Sequence, residues 1–206
     1  MKRLVGIVQL EAGNSASVER ALEALGVKAI QVRDVKTLEL CSHIILPGVA
    51  SFGSVIEELQ SKKLFAPLKN LYESDIKFMG LCAGMQIMGK GSQENPGVQG
   101  LGWFTYENIA IVNNEGSKAF HTGWNSVQMG DSQKILSASD NSSYYFNHSY
   151  YVPNVEEAHD DFGRTEYFNS TIVSIFKHSN VVGIQFHPEK SQVEGLDMLK
   201  HFVEWD

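Results

Sequence analysis

The sequence predicts an α/β protein with an open, largely parallel twisted sheet, flanking helices and an antiparallel extension of the sheet in its C-terminal half. Up to Gly100, short apolar runs alternate with segments of helical spacing, which is typical of strands joined by right-handed crossovers. After Gly100, glycine, asparagine and serine turns separate short segments rich in β-branched and aromatic residues. We expect one domain over residues 1–206.

Four apolar runs predict the parallel strands, at residues 4–8, 27–32, 43–46 and 76–81. Helices are predicted after the first strand, with Ser15 or Ser17 as N-cap, from about Phe52, and around Leu68. Val193, Leu196, Leu199 and Val203 predict a C-terminal helix. The mostly antiparallel strands are expected at residues 104–112, 126–129, 144–150, 155–160, 172–177 and 181–186.

Composition narrows the class of protein. A net charge of −7 argues against nucleic acid as the main partner, and no apolar stretch has the length of a membrane span. The basic, apolar N-terminus stops too early for a signal peptide. Cys41 and Cys82 form no disulfide framework and have no metal-type spacing with histidine. We therefore expect a cytoplasmic protein without a metal or a cofactor.

The stretch from Lys77 to Gln86 reads as a strand that ends in a cysteine between two glycines and runs into a helix. Gly80 and Gly84 permit a tight turn that exposes Cys82 at the carboxyl edge of the sheet. A helix N-terminus there favours the thiolate, which is the attacking species. The alternative is that Cys82 is a small core residue, as most free cysteines are.

A second predicted strand is followed by polar residues, in the sequence His187-Pro188-Glu189. In extended chain, residues two apart point the same way, so Glu189 can orient the ring of His187. Cysteine, histidine and an orienting acid form the set that acyl transfer needs. The alternative is that His187 is an ordinary histidine at a strand end, whose ring nitrogens form hydrogen bonds with water or with the backbone. The third strand ends at Pro47-Gly48, where glycine lets a backbone N–H approach an oxyanion; the alternative there is a plain turn.

Together these motifs resemble the class I (triad) glutamine amidotransferases, which have a flavodoxin-like sheet. Within that family the chain is most similar to the HisH type, the glutaminase subunits of imidazole glycerol phosphate synthase. The matching segments keep their order along nearly the whole chain, at residues 46–49, 51–53, 80–86, 100–102, 121–125, 145–151, 165–167 and 186–192.

The resemblance implies roles for these residues. Cys82 would attack the amide carbon of L-glutamine, His187 would act as acid and base, and Glu189 would hold His187. The N–H groups of Ala83 and Val49 would form the oxyanion hole. Five residues would bind the substrate: Gly48, Gln86, Glu94, Ser149 and Tyr150.

The resemblance also implies a partner, a HisF-like (β/α)8-barrel cyclase that receives the ammonia in a heterodimer. Trp124 is an interface residue in that interpretation, and an ordinary core tryptophan in the alternative. The residues expected at or near the docking face are Asn14, Trp124, Asn125, Tyr145 and Lys190.

The chain departs from the family pattern in four places. The loop after the first strand keeps only its Gly13-Asn14 pair, which bears on the identity of the partner. Ala50 stands where the family has glycine and restricts a backbone flip proposed to form the oxyanion hole. Ala83 replaces a larger aliphatic residue, and Asn147 an apolar one.

Several functions remain open from the sequence. The leading one is glutamine hydrolysis for a cyclase that makes imidazole glycerol phosphate and AICAR in histidine biosynthesis. A paralogue could instead feed ammonia to another synthetase, such as one that amidinates a surface-sugar precursor. A partner-independent triad hydrolase is a third possibility. A degenerate regulatory module is disfavoured, since Cys82, His187 and Glu189 are all present.

Overall fold

The computed structural model describes residues 3–11, 13–130, 135, 136, 138, 140–155 and 162–206. The first half alternates strands and helices as its sequence pattern predicts. Its elements are β1 (Val5–Val8), α1 (Ser15–Ala24), β2 (Ala29–Val32), α2 (Val35–Leu38), β3 (His43–Leu46), α3 (Phe52–Ser61), α4 (Phe65–Leu71), β4 (Lys77–Leu81) and α5 (Ala83–Gln86).

The second half is mostly strands, closed by one long helix. Its elements are β5 (Gly91–Ser92), β6 (Glu107–Ala110), β7 (His121–Met129), β8 (Ser142–His148), β9 (Tyr150–Tyr151), β10 (Phe162–Tyr167), β11 (Ser170–His178), β12 (Val181–Ile184) and α6 (Gln192–Glu204), with a 3₁₀ turn at Pro188–Lys190 before α6.

Among the described residues, the main sheet has nine strands in the order β2-β1-β3-β4-β12-β11-β10-β7-β8. The strands from β2 to β12 pair in parallel, and those from β12 to β8 pair antiparallel. The predicted fold class is therefore confirmed. A smaller sheet of β5, β6 and β9 lies beside the main one.

The central pair β4 and β12 brings the two strand-end motifs together. Leu81 is in register with Ile184, so the residues that follow both strands meet at the same carboxyl edge. Gly80 faces Gly183 within this pair, and a Cβ on Gly183 would lie 2.2 Å from the ring of Phe176. Because Gly80 and Gly183 have no side chains, the core packs closely against the two strands that carry the site.

Apolar clusters cover both faces of the sheet. One contains Phe78, Phe104 and Phe176, and the other contains Met79, Phe186 and Phe202. The parallel strands β1, β3, β4 and β12 are buried on both faces, in agreement with their apolar sequence, whereas β2 at the edge of the sheet is mostly half-buried. In the described part of the chain, no helix combines the length and apolar character needed to cross a bilayer.

Some sequence predictions need correction. The N-cap of α1 is Asn14, in a left-handed conformation with φ 52°, and neither Ser15 nor Ser17. The helix α2 and the strand β10 were not predicted. Most of the predicted strand 155–160 lies outside the described residues; Val155 is described and is not in a strand.

Candidate active site

Cys82 lies at a strained turn between β4 and α5. Its backbone has φ 52° and ψ −111°, an unusual conformation for a residue with a side chain. The turn packs so tightly that a Cβ on Gly84 would lie 1.8 Å from the carbonyl oxygen of Leu46. The predicted elbow is thus present, although α5 is only four residues long and its dipole is correspondingly small.

His187 and Glu189 meet as the sequence predicts, but in a different local structure. Pro188–Lys190 is a 3₁₀ turn rather than extended chain. Nδ1 of His187 donates to Oε1 of Glu189 at 2.9 Å, and both side chains are 2% exposed. The carboxylate therefore fixes the ring so that Nε2 is left for a reacting group.

Asn14 joins this arrangement from the other end of the chain. Its Nδ2 donates to the same Oε1 of Glu189, at 3.0 Å. Asn14 is the N-cap of α1, yet its side chain makes no capping hydrogen bond. The family resemblance predicts Asn14 at or near the docking face, which stays a prediction; in the structure its amide holds the acid beside His187.

The electrostatics of His187 follow from its neighbours. Burial lowers its pKa, but the Cys82 side chain and the Glu189 carboxylate more than offset this and raise the pKa to about 10. Among the described residues, buried Nε2 of His187 has no hydrogen-bond partner. The imidazolium is thus the favoured form at neutral pH, with Nε2 available to donate a proton near Cys82.

The predicted oxyanion hole is not open in this conformation. The N–H of Ala83 donates to the carbonyl oxygen of Gly48 at 3.3 Å. That oxygen occupies the direction in which a substrate oxyanion would bind. A rotation of the peptide between Gly48 and Val49 would free the Ala83 N–H and turn the Val49 N–H toward the site.

A cavity of about 210 Å³ opens over Cys82. Its wall contains most of the residues expected to bind substrate, and Gly48 lies just behind it through its contact with Ala83. The residues lining it are Val49, Ala50, Ser51, Cys82, Ala83, Gln86, Glu94, Phe120, Asn147, His148, Ser149 and Tyr150.

Two polar side chains of this wall are held in place. Oε2 of Glu94 accepts the N–H of Phe52 at the start of α3, at 2.8 Å. Nε2 of Gln86 donates to the carbonyl oxygen of Tyr150 at 2.7 Å. The second carboxylate oxygen of Glu94 and the side-chain oxygen of Gln86 are the acceptors left for a ligand that carries an ammonium or amide group.

A buried pair of histidines borders the cavity and was missed from the sequence. Nδ1 of His121 and Nε2 of His148 are 3.1 Å apart, and Nδ1 of His148 lies 2.9 Å from the carbonyl oxygen of Tyr150. Burial lowers the pKa of His121 to about 4 and that of His148 to about 3. Both rings are neutral at pH 7, and each Nδ1 carries the proton that it donates.

Three of the other expected interface residues lie together on one partly exposed face: Trp124, Tyr145 and Lys190. Trp124 is 49% exposed, so it is not a core tryptophan. Its ring packs edge-on against Tyr145, and Nζ of Lys190 lies 5.7 Å from the centre of the Tyr145 ring. Asn125 follows Trp124 on β7, so its side chain points to the opposite face of the strand, where its amide donates to the buried ring of His121. The carbonyl of Tyr145 accepts the N–H of His187 at 2.9 Å.

The fold and the site are those of an α/β enzyme of the cysteine acyl-transfer class, with a cysteine at a strand-to-helix elbow and an acid-held histidine beside it. The family model "Glutamine amidotransferase class-I" matches residues 7–205. The chain belongs to the class I glutamine amidotransferase family.

Curated relatives match the chain over nearly its full length. The "Imidazole glycerol phosphate synthase subunit HisH" of Methanocaldococcus jannaschii is 38% identical, over 98% of this chain and 99% of the relative. The subunit of the same name from Methanothermobacter thermautotrophicus is 34% identical over 98% of each chain. A solved structure titled "Crystal structure of glutamine amidotransferase" shares the fold with a TM-score of 0.75 at 19% identity, covering 98% of this chain and 97% of that one.

Proposed function

We propose that the chain is the glutaminase subunit of an imidazole glycerol phosphate synthase in histidine biosynthesis. The observation that carries the proposal is the buried Glu189–His187 pair beside Cys82 at the floor of the cavity. The names of the curated relatives, which match at full length, support this particular synthase. The proposal puts the enzyme in the cytoplasm, where a reactive thiol stays reduced.

The proposed reaction begins from an ion pair, in which the Cys82 thiol proton has already passed to Nε2 of His187 and left a thiolate beside an imidazolium. The thiolate attacks the side-chain carbon of glutamine, and the amide oxygen becomes an oxyanion. His187 then gives its proton to the amide nitrogen, so that ammonia leaves and a glutamyl thioester remains on Cys82. The histidine's raised pKa suits this step because the donor must be protonated at neutral pH.

Hydrolysis of the thioester uses the same groups in reverse. Neutral His187 removes a proton from water, the hydroxide adds to the thioester carbon, and glutamate leaves as the thiolate returns. Glu189 stays charged throughout and stabilises the imidazolium. The net reaction is glutamine and water to glutamate and ammonia.

Substrate orientation follows from the wall of the cavity. The free carboxylate oxygen of Glu94 would pair with the substrate ammonium, and Gln86 would accept from the amide end. Ser149 and Tyr150 would meet the substrate carboxylate through their backbone. The Glu94 carboxylate at one end of the cavity would favour a substrate with a free ammonium group over an internal peptide residue.

Partner docking would complete the site. The resting bond from Ala83 to Gly48 keeps the oxyanion hole closed, which argues against a hydrolase that works alone. We propose that a HisF-like (β/α)8-barrel cyclase docks on the face that carries Trp124, Tyr145 and Lys190, where exposed aromatic groups suit an interface. The backbone link from Tyr145 to His187 connects that face to the site.

The test is to purify the chain alone and with the barrel cyclase of the same genome, and to measure glutamate release. We expect low turnover alone and a steep rise with the cyclase and its ligand. Diazo-oxo-norleucine, an electrophilic glutamine analogue, should label Cys82. High turnover without a partner, a flat response to the cyclase, or no labelling in the complex would refute the proposal.

A further inference from the structure

Gln185 lies deep in the protein directly behind the nucleophile. It follows β12, two residues before His187, and is completely buried. Its Nε2 lies 3.6 Å from Sγ of Cys82, within hydrogen-bond distance for sulfur. A polar residue in an otherwise apolar run, Val181 to Phe186, is the sequence signal that marks it.

The orientation of the Gln185 amide follows from its neighbours. The carbonyl oxygen of Tyr150 can only accept, so the group of Gln86 that lies 2.7 Å from it is the NH₂. The same nitrogen of Gln86 lies 3.1 Å from Gln185, so the atom that faces it is the carbonyl oxygen of Gln185. The NH₂ of Gln185 must therefore point at Sγ.

We propose that Gln185 is a further catalytic residue, which donates a hydrogen bond to Sγ of Cys82 and stabilises the thiolate. The inference deepens the proposed function, on which it rests for the role of Cys82. Hydrogen bonds to a charged acceptor are stronger than those to a neutral one, so the donor favours thiolate over thiol. A second polar atom near Sγ, the carbonyl oxygen of Asn147 at 3.9 Å, accepts from the thiol and favours the opposite form.

This donor matters because the usual source of stabilisation is weak here. The helix α5 that follows Cys82 has only four residues, and its first N–H is taken by Gly48. Among the described residues, Gln185 and His187 are the side chains seen to favour a charged sulfur. Gln86 serves a second purpose in this arrangement, since it holds Gln185 in the donating orientation.

The test uses the alkylation of Cys82 by iodoacetamide as a function of pH, which requires no glutamine and no partner. Sulfur displaces iodide, and mass spectrometry of the Cys82 peptide gives the rate. Gln185→Met keeps the side-chain length and removes the donor. Gln60→Met, on an exposed position of α3, is the matched control. Cys41 is buried, with its pKa raised to about 11 by burial, so its modification would report unfolding.

We expect Gln185→Met to slow alkylation at neutral pH by about ten-fold, to move the pH midpoint upward and to leave the high-pH plateau unchanged. Gln86→Met removes the group that holds the Gln185 amide in place, so it should shift the pH midpoint in the same direction. If Gln185→Met does not fold, Gln86→Met provides the test of the Gln185 hydrogen bond. Wild-type midpoints in both variants, or an equal loss at every pH, would overturn the inference. A wild-type Cys82 that resists alkylation even at the plateau would overturn the proposed function as well.

Discussion

The carbonyl oxygen of Gly48 accepts the backbone N–H of Ala83 at 3.3 Å. The Gly48 carbonyl and the Val49 N–H belong to the same peptide group. One proposed oxyanion donor, the Ala83 N–H, is therefore occupied by the peptide that carries the other. Cys82 lines the cavity, but this contact withholds the Ala83 N–H that a tetrahedral intermediate would need. A peptide rotation at Gly48 is therefore the structural event that would separate the resting state from the active one.

The role of the Val49 N–H can be tested with proline, which removes this donor and also fixes φ at residue 49. Val49→Pro lacks that donor, and we expect glutamine hydrolysis by the partner-activated complex to fall by about 10²–10³-fold. Val49→Ala keeps the N–H and should stay near wild type, since Val49 is 44% exposed. The measurement is glutamate release at saturating glutamine. Equal activities for the two variants would exclude the Val49 N–H from the oxyanion hole.

Asn14 should contribute through Glu189. Asn14→Gly removes the amide donor and suits the left-handed backbone at φ 52°. We expect kcat to fall about ten-fold, which corresponds to the free energy of one hydrogen bond to a charged group. Asn14→Asp places a second carboxylate beside Glu189 and should cost more. If both variants keep the wild-type rate in the complex, Asn14 does not contribute to catalysis through Glu189.

Glu189 sets the proton affinity of His187, and a pH profile should reveal this. The carboxylate is one of the groups that raise the pKa of His187 to about 10. Glu189→Gln should therefore lower that pKa, so that the alkaline limb of the kcat profile moves to lower pH, while kcat itself falls about 10²–10⁴-fold. An alkaline limb that stays in place would mean that another group controls it.

The His121–His148 pair should make stability sensitive to acid. Both folded-state pKa values lie below the unfolded value of about 6.5, near 4 and 3. The unfolded chain binds more protons in that range, so the free energy of unfolding falls as pH drops from about 6.5 to 4. The double variant H121Q/H148Q should show a shallower slope, by about two protons, in urea unfolding series. An unchanged slope would refute the neutral assignment of the pair.

The sequence predicts that Cys82 and His187 lie close together, because the rule behind that prediction is topological. Parallel neighbouring strands end at the same edge, so Cys82 and His187 had to meet once β4 and β12 were paired. The link between His187 and Glu189 was predicted from extended alternation, yet it occurs in a 3₁₀ turn. Pro188 fixes a local geometry that simple periodicity does not describe.

Sequence patterns do not predict the contacts between segments that are distant along the chain. Asn14 and Glu189 are 175 residues apart, and no local pattern relates them. The histidine pair depends on the register of β7 against β8, which sets His121 opposite His148. The closed state of the oxyanion hole depends on one peptide orientation, and a sequence motif does not specify it.

The most direct test of the central claim, that Cys82 releases ammonia for a partner, is the effect of Cys82→Ser on the complex with the cyclase. Product formation should be measured with glutamine and, separately, with ammonium salt as nitrogen source. Cys82→Ser should abolish the glutamine-dependent reaction and leave the ammonia-dependent one at the wild-type rate, because the cyclase still receives free ammonia. Loss of both reactions, or retention of the glutamine-dependent one, would contradict the account.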